Sequence, residues 1–158
     1  MRVPTRNPVR SIFVTVALLS LAACHVTLLA DYDEVFDREA TNAQKDVDAL
    51  YLKIIDNTDS QHPDITGETF AADRDGYLKV RAELDGLLVR AQAHDHNENM
   101  VKSVKDIIHS FSVVEQEHKA NPALHIAAAR GELDLFNQQF TALIRQELLK
   151  KQGQDGVK

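Results

Sequence analysis

The chain has 158 residues, a single cysteine, no tryptophan and a formal net charge of −6. That length suits one domain, and 44% hydrophobic content is enough to build a core. One cysteine excludes an intramolecular disulfide, a Cys-rich zinc site and a CxxC redox pair. The acidic balance argues against nucleic acid, which requires a basic footprint.

The N-terminal segment has the layout of an export signal. Arg2, Arg6 and Arg10 form a cationic stretch without an acid, and Ser11 to Leu21 is an apolar run of eleven residues. Leu21-Ala22-Ala23-Cys24 follows. This tetrapeptide resembles the lipobox of bacterial lipoproteins: a branched apolar residue, two small residues and a cysteine. The resemblance implies cleavage between Ala23 and Cys24, and a covalent diacylglycerol and fatty acid on Cys24 as the only attached groups. It further implies anchoring in the cell envelope. His25 stands where an aspartate would signal inner-membrane retention, so the periplasmic face of the outer membrane is favoured.

Two other readings stay open. Ser11 to Ala30 contains no Asp, Glu, Lys or Arg, and such a stretch could span a bilayer as an uncleaved anchor. Plain secretion with cleavage after Ala30 is the other, although Leu28 is a poor residue three positions before that cut. Loss of residues 1–23 removes three arginines and no acid, taking the charge from −6 to −9. Residues 24–31 then form the lipidated cysteine and a short linker, 32–153 a folded body and 154–158 a disordered tail.

The body reads as four helices. Phe36, Ala40, Ala43, Val47, Leu50 and Ile54 alternate at spacings of four and three, one stripe of a helix. Asp31 with Glu34 offers a capping arrangement at its start. Turn formers from Asp56 to Asp64 end it. The second stripe is Phe70, Tyr77, Val80, Leu84, Leu87 and Ala91, with Asp73 at the missing seam position and Gly76 and Gly86 as weakening glycines. His94 to Glu98 marks a turn. The third stripe is Met100, Val104, Ile107, Phe111, Val114 and His118. Asn121-Pro122 predicts the start of the fourth helix, with Asn as cap and Pro at the first position. That helix carries Ala127, Ala128, Leu135, Phe136, Phe140, Leu143 and Ile144, with a kink expected at Gly131 and an end at Lys150, Lys151 and Gly153. No segment alternates with a period of two, so strands are not expected.

Short connections predict an all-α, up-down-up-down four-helix bundle behind the signal segment. This topology puts the body's N-terminus, the 94–98 turn and the C-terminal helix end together at one end, near the membrane. Arg145, Lys150, Lys151 and Lys158 would there either face lipid headgroups or serve as helix-dipole partners.

Seven histidines make metal binding the chemistry to weigh. The topology brings His62, His118 and His125 toward the other end, near Glu115, and imidazole with carboxylate suits zinc. Glu115-Gln116-Glu117-His118 has the Glu-x-x-His spacing of di-iron bundles, which need a second copy and two further glutamates. His94 and His96 are a second imidazole pair, too close in sequence to converge alone. Aligning Gly76 with the fixed glycine of a calcium loop puts Ala71 and Ala82 at its first and last ligand positions, so that reading fails. No Gly-x-Ser-x-Gly, phosphate loop or HExxH is present, and the sequence points away from an enzyme.

The chain is similar to small helical lipoproteins of proteobacteria. Tyr32-Asp33, Asp37, Thr41 and Gln44 carry the likeness at the start of the body, and Glu115 to His118 continue it. Phe136 to Phe140, Glu147 and Lys150 to Gly153 carry it at the end. The resemblance implies fold and location, and no activity. Two functions are expected: a non-enzymatic, lipid-anchored interaction or spacer module with an envelope protein as partner, or a periplasmic metal-binding bundle using His62, His118, His125 and Glu115.

Overall fold

The computed structural model describes residues 30–57, 62, 64–65, 70–121 and 124–155. Helices α1 (Glu34–Asp56), α2 (Phe70–Gln92), α3 (Glu98–Ala120) and α4 (Ile126–Asp155) pack as a bundle. Among the described residues there is no strand; one isolated antiparallel bridge joins Ile65 to His125. None of the helices is long and apolar enough to cross a membrane. Residues 1–29, with Ala23, Cys24 and the segment read as an export signal, lie outside the described residues.

Side-chain pairs give the helix directions. Arg90 near the end of α2 reaches Asp33 at the start of α1, and Lys53 near the end of α1 reaches Asp73 at the start of α2. Tyr77 of α2 meets His118 of α3, Ser103 of α3 meets Gln146 of α4, and Gln44 of α1 meets Asn137 of α4. Every neighbouring pair is antiparallel. Helix α1 touches α2 and α4, and α3 touches the same two. The end where Ala30 enters is called proximal below, and the opposite end distal.

The seams of α1 and α3 lie inside as their spacing requires, and Tyr51 joins them, fully buried. Rings stack through the middle: Tyr77 lies 5.5 Å from Phe111, Phe111 5.8 Å from Phe136, and Phe136 5.7 Å from Tyr51, centroid to centroid. Side chains of this size each contribute roughly 1.5–3 kcal/mol on burial, so the apolar seam outweighs any single polar contact. A Cβ on Gly76 would stand 2.7 Å from Leu50 Cδ1, so the glycine lets α1 and α2 approach closely. Gly86 has no such neighbour.

Three helix boundaries differ from the sequence reading. The cap of α1 is Asp33, not Asp31: its carboxylate accepts from the backbone N–H groups of Val35 and Phe36. Asp31 instead accepts from Gln154. Asn121 closes α3, its N–H donating to the Glu117 carbonyl, and α4 begins only at Ile126. The first N–H of α4 is satisfied by the Asp64 carbonyl at 2.9 Å, a partner on the α1–α2 connection. Helix α4 then continues through Gly131 and Gly153. Its inward face is Ala129, Phe136, Phe140, Leu143 and Glu147, while Ala127, Ala128 and Leu135 are exposed.

Candidate functional site at the proximal end

Four helix ends meet where the chain enters the bundle, and charged side chains tie them together. Asp33 lies at its centre, with a side chain only 9% exposed. Arg90 grips both carboxylate oxygens, Nη2 to Oδ1 at 2.8 Å and Nε to Oδ2 at 2.5 Å. His94 Nε2 lies 3.0 Å from Oδ2. Burial works against the charged carboxylate. The Arg90 hydrogen bonds, the capping N–H groups and the Arg90 charge overcome it and hold the acid well below its ordinary range. An acid at the start of α1 and a guanidinium at the end of α2 also match both helix dipoles.

The backbone N–H of Asp33 donates to Glu147 Oε1 of α4 at 2.6 Å. Lys150 bridges Glu147 Oε2 at 2.7 Å and Asn97 Oδ1 at 2.8 Å. Asn97 Nδ2 donates to the Ala91 carbonyl at 2.9 Å. This chain runs from α1 through α4 to the α2–α3 turn. Lys150 is enclosed, at 8% exposure, and Glu147 at 1%. The expectation that Lys150 faces lipid headgroups is therefore corrected: burial beside Glu147 holds it inside. Lys151 instead lies over the Tyr32 ring at 5.1 Å.

The incoming chain is held here too. Ala30 is buried, and its N–H donates to the His96 carbonyl at 3.3 Å. His96 adopts φ 58°, a left-handed conformation uncommon for a residue with a side chain. Beside this turn a cleft of about 430 Å³ opens between α3 and α4, lined by Met100, Ser103, Gln146 and Leu149 among others. The acids and bases that form this corner are bonded to one another and fasten α1, α2, α4 and the α2–α3 turn together.

The distal end carries a different polar group. His118 is fully buried, with Nδ1 3.0 Å from the Tyr77 hydroxyl and the Phe70 ring edge-on at 5.7 Å. Burial, followed by the charges of Glu132, Asp73 and Glu115, pushes the Tyr77 hydroxyl up. Burial, followed by Tyr77 and Glu132, pushes Tyr51 up further. Burial likewise raises Glu132. All three shifts favour the protonated form. At the rim of the same region Asp73 pairs with Lys53 at 2.9 Å, and Glu115 pairs with Arg81 and with Lys119. Asp73 interrupts the apolar seam because Lys53 crosses from α1 to meet it.

The four residues considered as metal ligands are divided. His118 and Glu115 lie inside α3, engaged by Tyr77 and Arg81. His62 and His125 are exposed on the connections, where their carbonyls accept from Ile65 and Ala129. Among the described residues, no group of three or more His, Cys, Asp and Glu is arranged to hold a metal ion. Glu147 and Lys150 are named in the sequence reading but not paired, and Arg90 and Asn97 are not singled out there. The local signal for the pair was the three-residue spacing of Glu147 and Lys150 on a helix. Comparison with protein-family models, with curated proteins and with solved structures gives no match.

Proposed function

We propose that this chain is a lipid-anchored, non-enzymatic interaction module of the bacterial cell envelope. The carrying observation is Leu21-Ala22-Ala23-Cys24 behind a cationic and an apolar stretch. Residues 25–29 separate that cysteine from Ala30, where the bundle begins. Five extended residues reach no more than about 18 Å, which keeps the body next to the bilayer. The reading is supported by the proximal fastening. A pull on the lipidated residue enters at Ala30 and is shared among α1, α2, α4 and the α2–α3 turn. Two acyl signals on Cys24 give stable anchoring where a single chain would be marginal.

The pairing of Asp33 with Arg90 and of Glu147 with Lys150 supports binding over catalysis as the role of the proximal corner. The outer membrane's periplasmic face is the proposed site, with an envelope protein as partner. Fractionation of cells producing the full chain tests the reading. The native chain is expected with outer membranes, and Cys24→Ala with the inner membrane as uncleaved precursor. An unchanged distribution for Cys24→Ala would refute lipid anchoring.

A further inference from the structure

Helix α4 has a second apolar stripe that the core does not use. Ala128, Leu135, Ala142 and Leu149 recur every seven residues and are all exposed, Leu135 at 44% and Leu149 at 54%. Seven residues are close to two turns, so the four share one face over about 31 Å at 1.5 Å per residue. Val113 of α3 is also exposed and stands level with Leu135, because Ser110 pairs with Gln139 and Ser103 with Gln146.

We propose that this face of α4 is a self-association surface, pairing two copies of the chain antiparallel about a two-fold axis beside Gln138. The order of residues along the stripe selects that occupant. Running a second copy in reverse sets Ala128 opposite Leu149 and Leu135 opposite Ala142, so each large residue meets a small one. The flanking charges agree. Asp134 and Arg145 lie on the same side of the stripe, and reversal brings each within about 3 Å, along the axis, of its opposite in the other copy. A parallel pair would set leucine on leucine and would carry Asp134 of one copy and Arg145 of the other to opposite flanks, out of reach of one another. The pairing does not depend on the anchor, and it sets the two Ala30 residues at opposite ends of the dimer.

Disulfide trapping in membranes from cells producing the full chain tests the proposal, with the native chain reporting any cross-linking through Cys24 itself. Gln138→Cys is expected to give a covalent dimer under mild oxidation. Ala128→Cys and Leu149→Cys are expected to cross-link when produced together, and Ala128→Cys hardly at all alone. Adding Leu135→Lys, a change at an exposed position, is expected to lower the Gln138→Cys dimer at least tenfold while circular dichroism stays native. Absence of the Gln138→Cys dimer, self-linking of Ala128→Cys at comparable yield, or indifference to Leu135→Lys would each overturn it.

Discussion

The two ends of the bundle bury polar groups differently. At the proximal end, full charges are paired: Asp33 with Arg90, and Glu147 with Lys150. At the distal end, charge pairs stand at the rim, Asp73 with Lys53 and Glu115 with Arg81, and inside them burial pushes Tyr51, Tyr77 and Glu132 toward their neutral forms. Paired charges join separate helix ends at long range, whereas a phenol and an imidazole fill a core level without demanding counter-charges. The difference teaches where the fold resists separation of its ends and where it only packs. It also suits an attachment that enters at Ala30.

The largest expected effect comes from breaking the paired end. Asp33→Ala removes the cap of α1 and leaves Arg90 without its carboxylate, a loss of about 2–3 kcal/mol in urea denaturation. Asp33→Asn keeps a good cap and is expected to lose less. Because the Asp33 acid is held below its ordinary value of about 3.9, its contribution is complete above that pH and disappears on acidification toward the folded-state value. Native and Asp33→Asn proteins should therefore converge in stability as the pH falls, and a constant gap would contradict the pairing.

A smaller loss is expected inside the distal end. Tyr77→Phe removes the hydroxyl beside His118 and keeps the ring, costing about 1–2 kcal/mol. Unlike Asp33→Ala, this loss should be insensitive to salt, so denaturation at low and high ionic strength separates the two ends. Two glycines sharpen the contrast further. Gly86→Ala meets open space and is expected to stabilise by about 0.5–1 kcal/mol. Gly76→Ala presses on Leu50 and should fall about 1 kcal/mol or more below it.

Between the ends a pH trend is expected. Glu83 is pushed up to about 7, by burial first and then by its proximity to Asp46. The folded state thus holds a proton that the unfolded chain releases near 4.3, and stability falls as pH rises between those values. Glu83→Gln should gain thermal stability relative to native protein at pH 8 and lose that advantage at pH 5.

The apolar seams of α1 and α3 were legible because spacings of four and three leave one face to bury. Helix α4 was only half legible. It carries apolar residues on two faces, and spacing alone cannot say which one meets the core. Ala127, Ala128 and Leu135 stand in one apolar set with Phe136, Phe140 and Leu143, of which only the last three are buried. The seam anomalies Asp73 and His118 stood out in the sequence, and Lys53 and Tyr77 explain them. The proximal corner was not legible. Arg90 and Asp33 lie 57 residues apart, and Asp33 and Glu147 lie 114 apart. Isolated charges on amphipathic helices read as solvated surface until the helix ends are brought together.

Mass spectrometry of the N-terminal peptide from membrane-bound protein tests the central claim most directly, that the chain is held at its proximal end through Cys24. The account predicts a chain starting at Cys24 and carrying diacylglyceryl and fatty-acyl mass. An intact Met1 terminus with an unmodified Cys24 would contradict it.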